Sequence, residues 1–326
     1  MTAARRFTKG ADVERNDAGQ SGAAFGRRRS LAARAGLWLR ATRPFSFPCS
    51  LLPVLAATAA TGPIGRWRWD TLAATLLAVL CMHVAGNALN DYFDYVSGVD
   101  TSNDADEGRP GRLLVRGLMT PRQVARGAML ALAASVGAVG YLCWRVNVVV
   151  LAFWAFGLLG AYAYTGPPFK LKARALGEPT ILLFFGPALM AGAAYVQVER
   201  VPLPVLLLSV PMGLSVTHIL VANNLRDIEE DAAGGIRTLA HIIGRRAMVW
   251  LYCGLAPAIP VAIALVGLTH GAPMLALVLL SPAAALGPIK ALLAGRPPPD
   301  IDARTARFLL TTGGITTLAL VCTGGL

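Results

Sequence analysis

The chain has 326 residues, of which 55% are hydrophobic and only 15% are charged, whereas soluble domains carry about 25% charged residues. This balance excludes an ordinary soluble protein and indicates an all-α, polytopic membrane protein. The net charge of +12 would suit a nucleic-acid-binding protein. The basic residues, however, follow the loops between apolar segments, so we expect no nucleic-acid partner.

The first forty residues differ in composition from the rest of the chain. They are rich in Arg, Gly and Ala and include the run Arg27-Arg28-Arg29. A twin arginine near the start is not followed closely by an apolar stretch or a cleavage site, which argues against an export signal. We interpret residues 1–40 as a disordered, basic, cytoplasmic tail within reach of anionic lipid, and residues 41–326 as one transmembrane domain.

Nine apolar segments follow the tail, each close to the ~20 residues that cross the hydrocarbon of a bilayer. They lie at 45–62, 71–93, 127–144, 146–165, 178–198, 203–225, 247–268, 272–293 and 306–325. Only one residue of the sequence separates the third segment from the fourth, which predicts a tight helical hairpin. The predicted fold is a bundle of about nine transmembrane helices around a central cavity.

The basic residues predict how these segments are oriented. Of the 30 Lys and Arg residues, 26 fall on one side of the nine segments, which leaves Arg66, Arg68, Arg145 and Arg200 on the other. By the positive-inside rule the side with 26 is cytoplasmic. We therefore expect a multi-pass protein of a bacterial plasma (inner) membrane, with its N-terminus in the cytoplasm and its C-terminus outside.

The second apolar segment ends in an acidic cluster on the predicted cytoplasmic side. On a helix, Asn87, Asp91 and Asp94 fall on one face, at positions i, i+4 and i+7, and Asn90 flanks that face. A carboxylate costs about 2.5–3.5 kcal/mol at the centre of a membrane helix and less toward the interface. Acids gathered at one depth therefore need a compensating partner.

A second cluster, at the end of the sixth segment, repeats this pattern. Asn224, Asp227 and Asp231 lie at i, i+3 and i+7. Carboxylate and amide oxygens suit Mg²⁺, which is commonly bound beside substrate phosphates. We predict that the Asp pairs of both clusters, with Asn224, bind Mg²⁺ and act in catalysis on a diphosphate. The alternative, solvated acids at helix ends, does not explain why the pattern occurs twice.

Other candidates surround the two clusters. For contacts to the diphosphate we predict Asn87, Asn90, Arg109, Lys170, Lys172 and Arg226. Tyr162 and Tyr164, which end the fourth segment, could stabilise an allylic cation by cation–π attraction, although interfacial aromatic belts place tyrosines at the same depth. His83, one turn before the first cluster, could meet an acceptor or take a proton, and a structural histidine is the alternative.

Four stretches occur in the order found in a known family. They are Asn90-Asp91-Tyr-Phe-Asp94-Tyr-Val-Ser-Gly98-Val-Asp100-Thr, Arg116-Gly-Leu-Met-Thr-Pro121, Tyr164-Thr-Gly-Pro167 followed by Leu176-Gly-Glu178, and Asn223-Asn-Leu-Arg-Asp227 followed by Arg237-Thr-Leu-Ala240. Through them, residues 38–326 resemble the UbiA superfamily of intramembrane prenyltransferases, whose two aspartate-rich motifs bind Mg²⁺ and an isoprenyl diphosphate. The stretches are most similar to the 1,4-dihydroxy-2-naphthoate polyprenyltransferases of menaquinone biosynthesis.

The resemblance implies Mg²⁺-dependent transfer of a polyprenyl group from polyprenyl diphosphate to 1,4-dihydroxy-2-naphthoate, with loss of CO₂, to give demethylmenaquinone. The partners would be the diphosphate, an aromatic acceptor and membrane lipid. The basic, proline-rich stretch from Pro167 to Lys172 departs from the naphthoate branch. It leaves 4-hydroxybenzoate, homogentisate or a lipid alcohol open as acceptor. A transporter, the alternative from another class, would typically place its acids near the midplane.

Overall fold

The computed structural model describes residues 30–98, 113–295 and 297–326. These residues form helices and 3₁₀ segments, the longest of which is the 13-residue Pro273–Ala285, with one isolated bridge between Arg174 and Arg237 and no strand. In chain order the helices are α1 (Leu31–Ala41), α2 (Pro48–Ala60), α3 (Trp69–Val96), α4 (Pro121–Arg145), α5 (Val149–Thr165), α6 (Gly177–Val198), α7 (Leu203–Arg226), α8 (Ile228–Ala233), α9 (Leu239–Thr269), α10 (Pro273–Leu293) and α11 (Ile301–Thr323).

Seven of these helices are long and apolar enough to cross a membrane, namely α3, α4, α6, α7, α9, α10 and α11. The other two apolar helices, α2 and α5, are 13 and 17 residues long. Each of the nine predicted segments is therefore a helix. The prediction of an all-α membrane bundle is confirmed, and the chain is an integral, multi-pass membrane protein.

The start of the chain differs from the prediction of a disordered tail through residue 40. Residues Leu31–Ala41 form α1, and the hydroxyl of Ser30 caps it by accepting a hydrogen bond from the amide of Ala33 at 3.2 Å. The ring of Trp38 rests on α4 at Gly127, where a Cβ would lie 2.4 Å from the indole. This docking accounts for a helix where the composition suggested none. Residues 1–29 lie outside the described residues.

Two glycines allow α6 and α7 to approach closely. A Cβ on Gly186 would lie 2.6 Å from the carbonyl oxygen of Ser209, and one on Gly213 would lie 2.8 Å from the Cα of Gly186. The contact falls where α6 passes through a π-helical turn, Phe184–Ala188, that contains Pro187. Small residues are the usual means by which membrane helices come into contact. Here they bring together the two helices that carry parts of the site.

The most deeply buried part of the bundle is formed by α2, α6, α7, α9, α10 and α11, around side chains such as Met190, Met212, Ile259 and Phe308. Helices α3 and α4 pair with each other and pack beside this core together with α5. A cavity remains between α3, α5, α6 and α7. The bundle therefore holds an internal space next to the ends of both helices that carry acidic clusters.

Candidate active site

The cavity has a volume of about 490 Å³ and joins a polar region to an apolar one. At its polar end it is lined by residues of both acidic clusters. Its apolar walls include Leu142, Phe153, Trp154, Phe184 and Val196. An elongated apolar group with a charged head would match this division.

The cavity brings together most of the predicted site residues. Those that line it are His83, Asn87, Asn90, Asp91, Asp94, Tyr164, Lys172, Asn224, Arg226, Asp227 and Asp231. Lys170 is exposed, in a left-handed backbone conformation with φ of 45°. The exposed Tyr162 donates its hydroxyl to the carbonyl oxygen of Pro167 at 2.6 Å. Arg109 lies outside the described residues.

The first cluster faces the short segment that precedes α2. Asp91, which is 8% exposed, forms an ion pair with Arg43. One turn earlier, Asn87 donates to the hydroxyl of Ser46 at 3.4 Å. Arg43 also lines the cavity, although the sequence indicated only a topological charge there. Its position directly before a proline, at the start of the first apolar segment, was the only signal in the sequence.

Lys172 lies between the two clusters, in the 3₁₀ turn Leu171–Ala173 that joins α5 to α6. Its Nζ is 3.4 Å from Oδ2 of Asp94. Burial opposes the charge on Lys172, but the nearby Asp94, Tyr164 and Asp231 outweigh it and hold the pKa of this amine above its ordinary value. Because Asp94 and Asp231 belong to different clusters, Lys172 is a cation within electrostatic reach of both.

The second cluster is tied to the last helix. Arg226 donates from Nε and Nη2 to the two oxygens of Asp227, each at 2.7 Å. Its Nη1 lies 2.7 Å from Oδ2 of Asp302, in the first turn of α11. Asp302 lines the cavity but was not predicted. An acid at the start of the last apolar segment was the available signal, and nothing nearby in the sequence linked it to the cluster.

Among the described acids outside the membrane-spanning helices, Asp231, on the short helix α8, has the most strongly shifted pKa. Burial raises its pKa to about 6, and the charges of Asp227 and Asp94 add to this, while Lys172 and His241 oppose it. Asp94 and Asp231 line the same cavity, so the acids of the two clusters act on one another electrostatically. Their negative charges repel one another, which is the condition that favours a bound cation.

The asparagines of the site are also hydrogen-bonded. Asn224 donates from Nδ2 to Oε1 of Glu178 at 2.8 Å, which turns its Oδ1 away from Glu178. Asn90 accepts at Oδ1 from the hydroxyl of Thr165 at 2.6 Å. The buried Oδ1 of Asn223, which also lines the cavity, has no hydrogen-bond partner. Glu178, which the sequence analysis gave no role, thus fixes the orientation of an amide in the second cluster.

His83 is held by two serines at the cavity wall. Its Nε2 is 2.8 Å from Oγ of Ser46, and its Nδ1 is 2.6 Å from Oγ of Ser50. The hydroxyl of Ser46 donates to the carbonyl oxygen of Arg43, so we assign the proton to Nε2, which leaves Nδ1 to accept from Ser50. Both ring nitrogens of His83 therefore have hydrogen-bond partners, and its contact with an acceptor or its role as a base stays a prediction.

The donor groups of this cavity fit Mg²⁺ in their chemistry, since carboxylate and amide oxygens are its preferred protein ligands. Among the described residues, no three His, Cys, Asp or Glu side chains are grouped closely enough to hold one ion. Basic side chains pair instead with three of the carboxylates: Asp91, Asp94 and Asp227. The residues fit the ion if these basic groups change partners when it binds.

Comparison with known proteins places this chain in a family. The UbiA prenyltransferase family matches residues 50–312. The chain is 38% identical over 246 residues to UbiA prenyltransferase domain-containing protein 1 of Gallus gallus, which covers 73% of this chain and 71% of that protein. It is 34% identical over 223 residues to 1,4-dihydroxy-2-naphthoate octaprenyltransferase of Mycobacterium tuberculosis, covering 67% of this chain and 73% of that one.

The fold is also that of solved structures. A UbiA homolog from Archaeoglobus fulgidus, bound to DMAPP and Mg²⁺, has a TM-score of 0.65 at 17% identity and covers 87% of this chain and 99% of its own. At that identity the likeness concerns the fold. The sequence matches span most of the chain and exceed 30% identity. The chain therefore belongs to the UbiA prenyltransferase family and is an integral membrane prenyltransferase.

Proposed function

We propose that the enzyme transfers a polyprenyl group from polyprenyl diphosphate to 1,4-dihydroxy-2-naphthoate, with loss of CO₂, to form a demethylmenaquinol, the reduced form of demethylmenaquinone. The observation that carries the proposal is the single cavity faced by both acidic clusters, with Lys172 between them. The acceptor is supported by the 34% identity to the naphthoate octaprenyltransferase of Mycobacterium tuberculosis. The other relatives named above carry no acceptor in their names.

Mg²⁺ would be held by Asp91, Asp94, Asp227 and Asp231, together with the Oδ1 of Asn224. Bound there, it would neutralise the negative charge that develops on the diphosphate as this group leaves. The chemistry of the donor groups supports the assignment, as does the solved homolog that is bound to DMAPP and Mg²⁺. Our proposal is that the acids of both clusters act together as one site.

The basic side chains would bind the diphosphate itself. Arg43, Lys172 and Arg226 line the cavity and pair with the carboxylates that are assigned to the metal. Once released from these acids, they can donate to phosphate oxygens, and a guanidinium suits such oxygens because it donates in pairs. Asn90 would contribute its Nδ2, because its Oδ1 already accepts from Thr165.

The apolar part of the cavity would hold the prenyl chain. Between Thr75 and Asp91, which both line it, α3 rises by about 24 Å at 1.5 Å per residue. Aromatic side chains such as Phe153, Trp154 and Phe184 line this part of the cavity and would exclude water from the chain. Tyr164 faces the same cavity and is our candidate for stabilising the allylic cation.

In the proposed reaction, the ring carbon that carries the carboxylate attacks the allylic carbon. A carbon–carbon bond forms, the carbon–oxygen bond to the diphosphate breaks, and the diphosphate leaves with that electron pair. The carboxylate then departs as CO₂, and its electron pair restores the aromatic ring. His83, fixed between Ser46 and Ser50, lies in the cavity wall and would help to shape the acceptor side of the site.

We also propose that the mouth of this site faces the cytoplasm of a bacterial cell, across the inner membrane. The support is the distribution of basic residues, 26 of which fall on the side of the acidic clusters. Residues 41–326 would form the transmembrane prenyltransferase domain, with the N-terminal tail on the same side.

The test uses membranes from cells that express the chain, with labelled polyprenyl diphosphate, Mg²⁺ and either 1,4-dihydroxy-2-naphthoate or 4-hydroxybenzoate. We expect a prenylated naphthoquinol and released CO₂, both lost with EDTA and in Asp91→Asn and Asp227→Asn. Asp300→Asn, an exposed acid at the start of α11, serves as the matched control and should remain active. Product from 4-hydroxybenzoate alone would overturn the acceptor, and full activity in both cluster variants would overturn the acid site.

A further inference from the structure

Arg226 is shared by two carboxylates from different helices. Its Nε and Nη2 occupy both oxygens of Asp227, and its Nη1 is bonded to Asp302. The three side chains line the cavity and are largely buried, with exposed fractions of 16% for Arg226, 21% for Asp227 and 16% for Asp302. One positive charge therefore links two negative ones at the polar end of the cavity.

This arrangement has a consequence for any cation that binds Asp227. Both carboxylate oxygens of Asp227 are occupied by Arg226. A divalent ion bound to these oxygens would compete with the guanidinium for their negative charge and repel it, which favours breaking that pair of hydrogen bonds. If Arg226 were bonded to Asp227 alone, this change would leave a guanidinium without a partner in a largely buried place, and removing one partner of a buried charge pair is costly.

Asp302 removes this cost because it already holds the third donor of Arg226. Its Oδ2 lies 2.7 Å from Nη1, and its Oδ1 accepts from the backbone amide of Ala303 at 2.8 Å. Both oxygens of Asp302 are thus fixed, one by its own helix and the other by Arg226. The guanidinium can leave Asp227 and still keep a charged partner at the edge of the cavity.

We propose that Asp302 is a positioning residue: it keeps Arg226 in place when Asp227 releases the guanidinium and binds a divalent cation. Arg226 then stays at the polar end of the cavity, where it can donate to a diphosphate. This inference rests on the metal and diphosphate part of the proposed function and does not depend on the identity of the acceptor.

Two other roles for Asp302 make different predictions. As a direct metal ligand, Asp302 would matter whether or not Arg226 is present. As a general negative charge, it would resemble Asp300, which lies two residues earlier and pairs with Arg304 at 2.9 Å on the exposed surface. Asp300 is therefore a control matched in charge and in place along the chain.

The experiment measures Mn²⁺ binding to the purified full-length chain in detergent, from the electron paramagnetic resonance signal of free Mn²⁺, with and without inorganic diphosphate. We expect Asp302→Asn to weaken Mn²⁺ binding about tenfold, which is about 1.4 kcal/mol. Asp300→Asn should stay within about twofold of the parent chain. Asp302→Ser is a second truncation with the same expectation as Asp302→Asn, and elution as a single species shows that each variant is folded.

The combination with Arg226→Met decides the mechanism. We expect Arg226→Met alone to bind Mn²⁺ at least as tightly as the parent chain, because the competing cation is gone. Adding Asp302→Asn to it should change the affinity by less than about twofold, because the acid acts through the guanidinium. A tenfold loss in that background would make Asp302 a ligand and overturn the inference.

Unchanged Mn²⁺ affinity in both Asp302→Asn and Asp302→Ser would also overturn the inference about Asp302. So would a parent chain that binds no Mn²⁺, either with or without inorganic diphosphate. The proposed acceptor is tested separately by product formation. The expected pattern of Mn²⁺ binding in an enzyme that forms no naphthoate product would refute the acceptor and support the role of Asp302. Product formation with unchanged Mn²⁺ binding in the variants would refute only the role of Asp302.

Discussion

Lys170 and Lys172 lie two residues apart in one loop, yet the structure separates them sharply. Lys172 points into the cavity with its Nζ 3.4 Å from Asp94, whereas Lys170 is exposed. We expect Lys172→Met to lower kcat/KM for the polyprenyl diphosphate by about 100-fold, while Lys170→Met lowers it less than about fivefold. The pair is matched in charge, size and loop, so the difference measures position alone.

The magnitude follows from the geometry of Lys172. A unit charge 3.4 Å from an opposite one, the distance between Lys172 and Asp94, gains roughly 5 kcal/mol at an effective dielectric constant of about 20, which sets the scale of its attraction to a phosphate oxygen. Lys172 already has part of this attraction energy in its pair with Asp94, and a hydrogen bond to a charged group contributes about 1.5–3 kcal/mol net. A 100-fold loss corresponds to about 2.7 kcal/mol, inside that range.

The assay follows prenylated product at varied diphosphate concentration, with Mg²⁺ in excess. Because Lys172 would bind the leaving group before and during bond cleavage, both KM and kcat should be affected. Equal losses in the two lysine variants would refute the assignment, since they would mean that only the charge of the loop matters. A Lys172→Met enzyme with normal kcat/KM would refute it too.

Three further predictions concern metal affinity, metal removal and packing. Glu178→Ala frees the amide of Asn224 and should raise the Mg²⁺ concentration for half-maximal rate about tenfold. Glu178→Gln keeps an acceptor oxygen and should remain near the parent value. Equal effects of the two variants would refute the role of that hydrogen bond. EDTA should abolish product formation and added Mg²⁺ should restore it, so activity that survives chelation would contradict a metal-dependent site. Gly186→Leu should destabilise the bundle by at least about 2 kcal/mol in a thermal unfolding assay in detergent, because even its Cβ would meet Ser209 at 2.6 Å; Gly254→Ala, with open space around its Cβ, should be neutral.

The parts of the fold that the sequence predicted well depend on local patterns. Apolar runs of membrane-spanning length became helices because every backbone group in a bilayer must find its hydrogen bond within the segment. The spacing of Asp91 and Asp94 placed both on the same face of α3, which turned out to line a cavity. Helical periodicity is enough for such an inference, since it does not depend on what the helix packs against.

The partners of those acids could not be predicted in the same way. Arg43 and Asp91 are 48 residues apart, and Asp302 reaches Arg226 from the last helix. Many basic residues follow the loops of this chain, and a single sequence does not indicate which of them turn inward. Lys170 and Lys172 illustrate this, because local backbone geometry sets the turn that exposes Lys170 and directs Lys172 to the cavity.

The ion pairs of the cavity and the proposed metal site have one physical cause. Unpaired carboxylates at the edge of a bilayer are costly, so Asp91, Asp94 and Asp227 need a cationic partner at all times. When no metal ion is bound, basic side chains are that partner. A divalent ion that takes these acids leaves the basic groups unpaired, and a diphosphate is the anion that pairs with them again. Each ligand thus lowers the cost of binding the other. We expect Mn²⁺ to bind more tightly with inorganic diphosphate than without it, beyond the affinity of the two for each other, and equal affinities would refute the exchange.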